Sequence, residues 1–301
     1  MLDRESTFAR PGIVKMLKTD FIPVAIDQAY HRRQKDTEGD FYRKIAGQGP
    51  RNNFQGTTQG FYIAAPDGTL LLYNNNRDPQ KVERLMKEKL AKFKTVPVRG
   101  DGVEPVKRTM VDPRWNYTVP KGGLTIRVRS KILSGYKPTE DRWKAIFQSA
   151  LSRDNLWTTK DEHLALVKGK FPKSLAERIA RFHLVDNTRG EPPMWNEKEI
   201  SALEIKLDSK GVLTGSATLK SGDGKRSYEA QFRGHVETKG GAVTRFDMVA
   251  LGLFEGSGTY TRNAPEGKFP LAISFELADG KDVADLVRPQ GSRGWVQGYL
   301  R

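Results

Sequence analysis

From Ile200 onward, apolar and polar residues alternate with a period of two. The segments Ser201–Leu207, Val212–Leu219, Ser227–Val236, Val243–Phe254 and Phe269–Leu277 all carry it, as strands with one buried face do. Asp208-Ser-Lys-Gly211, Ser221-Gly-Asp-Gly-Lys225 and Lys239-Gly-Gly241 separate the first four, as hairpin turns would. The pattern predicts an antiparallel meander. Gly122 to Leu133 alternates too and is expected to join it. There Leu124, Ile126, Val128 and Ile132 point one way, and Thr125, Arg127, Arg129 and Lys131 the other.

Between these strands the spacing becomes helical. Trp143, Ile146, Phe147 and Ala150 predict a helix over Asp141–Leu151. Thr159-Lys-Asp-Glu162 and Ser174-Leu-Ala-Glu177 read as capping boxes that open helices through Val167 and Leu184. In the first third, Pro11–Lys18 and Thr37–Ala46 read as helices. Asp78-Pro79 opens a third, with Val82, Leu85, Met86, Leu90 and Phe93 as its apolar stripe. Phe21–Ile26, ending in Asp27, reads as a buried parallel strand. Phe61–Ala65 and Leu70–Tyr73 flank Pro66-Asp67-Gly68 as a hairpin.

The expected organisation is an α/β domain over residues 1–95 and a linker over 96–120 rich in Pro and Gly. An α+β domain over 121–301 follows, its helical insertion at 137–195 and its antiparallel sheet at 200–301.

That first third resembles bacterial thioredoxin-like proteins that read Cys-x-x-Cys-His-x-Met-x-x-Glu-Ser-Phe. The residues that carry the resemblance are Met1-Leu-Asp-Arg-Glu-Ser-Thr-Phe8, the run Phe21–Asp27, and Phe61–Gly68 with its Pro-Asp-Gly turn. The resemblance implies an incomplete thioredoxin-like α/β fold and, for an intact relative, thiol–disulfide or peroxide chemistry. Two departures stand out. The family's cis-proline aligns with Gln59, and the dithiol and the strand before it have no counterpart. The family places that strand between those matching Phe21–Ile26 and Phe61–Ala65. Three arrangements stay open: those two pair directly, a strand from elsewhere fills the gap, or translation begins upstream of Met1, as when a selenocysteine codon is read as a stop.

Composition narrows the chemistry. The chain has 301 residues and no cysteine, hence no disulfide, thiolate metal site or thiol nucleophile in this chain. No apolar run approaches transmembrane length and no signal peptide opens the sequence. The default compartment is the cytoplasm, or the cell envelope if the start lies upstream. A formal charge of +15 favours a small anionic ligand or an anionic polymer. The basic residues are interleaved with 36 acids, which argues against nucleic acid and for a solvated surface.

Walker A, G-x-G-x-x-G, H-E-x-x-H, G-x-S-x-G and EF-hand patterns are absent, and no cofactor is called for. The densest polar segment is Arg181–Trp195. Its His183, Asp186, Asn187, Arg189, Glu191 and Trp195 are candidates for ligand binding: a base, an anion clamp and a stacking ring. The alternative is a helix end tied down by its own side chains. A metal set of His163, His183 and Glu191 has no supporting spacing. Asp27, Tyr30, His31 and Arg32 lie at the expected strand exit, where α/β sites form. The resemblance implies that they, with Gln59, line a remnant of the thioredoxin face. Three function classes follow: a redox-inert thioredoxin-like protein coupled to a ligand-binding domain, a truncated thiol or selenol oxidoreductase, and a His-dependent metalloenzyme or hydrolase using the 181–195 loop.

Overall fold

A computed structural model describes residues 7–93, 112 and 114–301. Most of the expected linker, and Met1–Ser6 of the resembling stretch, lie outside the described residues. The chain is a mixed α/β protein in two compact units, 3–117 and 118–301. Among the described residues, no helix is long and apolar enough to cross a membrane.

In the first unit, α1 (Pro11–Thr19) carries Pro11 in its first turn. Asp27 caps the short α2 (Gln28–His31), and Asp36 caps α3 (Thr37–Gly47) by accepting from Gly39 N. β1 (Phe61–Ala64) and β2 (Leu70–Asn74) form an antiparallel hairpin, turned at Gly68 with φ 85°. α4 (Pro79–Phe93) follows. Ile13 and Met16 of α1 meet Val82 and Met86 of α4 in the core, with Leu17, Phe21, Phe61 and Ile63 packed against them.

The expected strand at 21–26 does not form. Residues 21–27 are irregular, and Ile22 and Val24 are 91% and 71% exposed. β1 and β2 pair only with each other, so no described strand offers this run a ladder. Pro23 also removes a donor from its middle. Of the apolar run, Phe21 reaches the core.

The second unit holds a seven-stranded antiparallel sheet. Its strands are β3 (Thr125–Ile132), β4 (Asp154–Trp157), β5 (Ile200–Leu207), β6 (Val212–Lys220), β7 (Ser227–Lys239), β8 (Ala242–Glu255) and β9 (Lys268–Leu277). Their order is β4-β3-β9-β8-β7-β6-β5. The meander β5 to β9 follows sequence, and β3 closes on β9 with Val128 opposite Phe275. Alternate residues such as Leu213, Phe232, Phe246, Ile273 and Ile126 are fully buried. α5 (Arg142–Ser149), α6 (Lys160–Val167), α7 (Lys173–Phe182) and α8 (Val296–Leu300) complete the unit. α7 packs beside β5 and α6 beside β8.

Two local expectations change. The region read as a helical insertion contains β4, whose four residues are all buried and show no alternation. The capping box at Thr159 forms, but the one read at Ser174 does not. α7 starts after Pro172, and Ser174 Oγ donates to Glu162 Oε1 instead, at 2.6 Å.

Candidate functional site

The loop after α7 turns inward. His183 is buried, with Nε2 2.7 Å from the Tyr299 hydroxyl and Nδ1 3.3 Å from Asp154 Oδ2, poorly aligned for a hydrogen bond. Burial pushes the Tyr299 hydroxyl well above its ordinary pKa. Asp186 accepts from Thr188 N, Thr188 Oγ1 and Arg189 Nε. Arg189 also donates to the carbonyls of Thr261 and Arg262. Asn187 Oδ1 accepts from Ser130 Oγ at 2.6 Å. Trp195 is buried; its Nε1 donates to Leu184 O, and the Arg226 guanidinium lies 3.8 Å over its ring. Burial lowers the Arg226 pKa against the pull of Glu199 and Asp223. Glu191 alone of the six is exposed, 3.4 Å from Arg293 Nε. The other five candidates thus face partners inside the protein and present no open surface to a ligand.

The metal candidates are not brought together. His163 bridges Gly122 O and Val243 N, away from His183 and its partners Asp154 and Tyr299. Among the described residues, no three His, Cys, Asp or Glu side chains could hold an ion together. On the basic face of β3, Arg127 pairs with Asp279 and Asp285 and Arg129 with Glu276, while Lys131 donates to Ser149 O.

In the first unit, Asp27 Oδ1 accepts from Ala29 N, and Asp27 O lies 3.0 Å from His31 Nδ1. Tyr30 is buried against Trp115 and Tyr117. His31 Nε2 is 3.1 Å from Glu38 Oε1. Arg32 donates to Gln28 Oε1 and Gly56 O, and Gln28 Oε1 accepts from Thr58 N. The α2 segment is therefore tied to the 56–58 loop beside exposed Gln59, whose carbonyl accepts from Tyr73 Oη. Tyr62, whose hydroxyl donates to Thr58 O, has its pKa pushed up to about 12, chiefly by burial.

An open concavity lies between α7 and β5. It has a volume of ≈ 620 Å³, within the usual range for ligand sites of about 300–1,000 Å³. Phe171, Ala176 and Phe182 line one side, and Ile200, Leu203 and Ile205 the other. Among its lining cations, Lys173 lies 3.5 Å from Glu177, and Arg181 donates to Glu197 at 2.9 Å. Its floor is rigid. Buried Arg178 donates to Glu162 Oε2 at 2.6 Å and to the carbonyls of Tyr299 and Leu300. Such a set can hold a ligand by apolar contact and charge. Sequence reasoning missed the groove because it needs a helix and a sheet edge from separate segments. Of the Arg181–Trp195 stretch marked in the sequence, only Arg181 and Phe182 line it.

No family model, curated protein or solved structure matches the chain.

Proposed function

We propose that this protein is a cysteine-free, redox-inert thioredoxin-like unit coupled to a β-rich binding unit, and that the binding unit takes its ligand in the α7–β5 groove. The carrying observation is the groove itself: open, with apolar side chains on both walls set among charged ones such as Arg181 and Glu204, and backed by the buried Arg178–Glu162 ion pair. For the first unit, support comes from the order helix, hairpin, helix, the Pro-Asp-Gly turn, and the bonds tying Gln28 and Arg32 to the 56–58 loop. The irregular 21–27 run departs from the family pattern. Without a cysteine, this chain supplies no thiol for disulfide exchange.

The test uses anilinonaphthalene sulfonate, an apolar anion whose fluorescence rises on leaving water. Saturable one-to-one binding is expected, and loss of it in Ser201→Trp and Ala202→Trp. Both residues are exposed on the groove wall, so the new ring fills space without entering the core. Binding unchanged in both variants, or no binding to the native protein, refutes the site.

A further inference from the structure

We infer that the ligand of this groove is an extended peptide segment, which adds to the free backbone edge of β5 as an eighth strand of the sheet. The inference rests on the groove being the binding site and names the class of ligand.

Three observations carry it. First, β5 ends the strand order and pairs with β6 alone. Beyond that ladder, no hydrogen bond from a described residue reaches the main chain of residues 201–206. From Ala202 on, past the irregularity at Ser201, its second edge therefore presents alternating N–H and C=O groups. Second, six successive β5 residues, 200 to 205, line the groove. Neighbouring strand residues point to opposite faces. A cavity lined by all of them runs along the edge of the strand, not over one face. Third, β5 itself sets the side-chain pattern. Leu203 and Ile205 lie opposite Ala217 and Gly215 and share their covered face, while Ala202, Glu204 and Lys206 alternate with them and are exposed. An added strand would put every second side chain on that covered face, which calls for alternating apolar and polar residues.

Charge and hydration narrow the occupant further. Lys173 and Arg181 have carboxylate partners, whereas Arg301, also on the lining, has none among the described residues. A carboxylate on the peptide complements it. A compact apolar molecule would fill the walls but displace water from the β5 edge without replacing its hydrogen bonds, and so lose affinity. A strand replaces them: β5 N–H groups donate to the peptide's carbonyls, and peptide N–H groups to those of β5.

The probe is a synthetic nine-residue peptide copying 212–220, with a free C-terminal carboxylate, because that sequence already matches the face pattern of β5. Two further versions carry N-methyl groups on alternate residues, one set for each edge. With the whole protein, the unmodified peptide is expected to displace the fluorophore and to slow amide exchange within 201–206. One methylated version should bind like the parent and the other about tenfold more weakly or worse, since it loses several hydrogen bonds. Arg301→Glu should weaken the parent by about two- to fivefold, as an exposed charge does. Equal binding of both methylated versions overturns strand addition. So does fluorophore binding that no peptide displaces, which leaves the groove reading intact. Absence of both fluorophore and peptide binding overturns the groove itself.

Discussion

At the scale of single residues, the second unit holds a buried ion pair, Arg178 with Glu162. Arg178 and Glu162 are both buried, and Arg178 also satisfies the last carbonyls of the chain. Removing one member leaves the other without its counter-ion in a dry interior. Arg178→Met is therefore expected to cost about 3–5 kcal/mol, read from urea unfolding, and Arg178→Met with Glu162→Leu to recover only part of it, because Glu162 also serves Thr159 N and Ser174 Oγ and Arg178 the carbonyls of Tyr299 and Leu300. A loss under about 1 kcal/mol for the single variant would contradict the buried pair. In the first unit, Asp36 gives a pH signature. Burial alone would raise its pKa, but the backbone N–H groups of Asp112 and Gly39 and the Gln34 amide outweigh it and hold it below 3.8. A depressed carboxylate stabilises the fold above its unfolded pKa, and that stability is lost as pH falls through the folded value. Wild type should melt above Asp36→Asn at about pH 6, with the gap closing as pH falls below 3.8. A gap that widens on acidification would show the sign to be wrong.

At the scale of elements, the run 21–27 is the sharpest test. As a buried strand it would not tolerate charge; as the exposed segment found here it should. Ile22→Lys and Val24→Lys are expected to change stability by less than about 0.5 kcal/mol, whereas Ile13→Ala, in the α1–α4 core, should cost about 2–5 kcal/mol. Thermal melting of the three variants decides it. The contrast also shows what the sequence could reveal. Strands β5 to β9 were legible because one face is wet, and alternation records that. The box at Thr159 was legible because its partners sit three residues apart. β4 was not, since four buried residues leave no period to read. In the first unit, Pro23 marks the run 21–26 as a poor strand. The partners of the 181–195 loop are distant in sequence: Ser130 for Asn187, Thr261 for Arg189, Tyr299 for His183. A polar, non-periodic segment looks the same whether it lines a cleft or plugs a core; only those remote partners decide. The β5 edge is likewise a property of the assembled sheet.

At the scale of the whole molecule, each unit has its own core. In the second unit the long-range ties close inside residues 118–301. β3 pairs with β9, Asp154 Oδ1 accepts from Gln290 N, Arg127 meets Asp285, and Arg178 holds Leu300 O. Every residue lining the groove also falls within this unit. A fragment of 118–301 is therefore expected to fold alone, with a single cooperative melt and dispersed amide resonances. It should bind the fluorophore within about twofold of the full chain, since a self-contained site owes nothing to the other unit. The same fragment locates the function. If it folds but loses the fluorophore, the first unit contributes to binding, and the division of labour proposed for the two units fails. If it binds as the whole chain does, the first unit is free for a separate role, and Arg32, Gln28 and Gln59 become the residues to vary next.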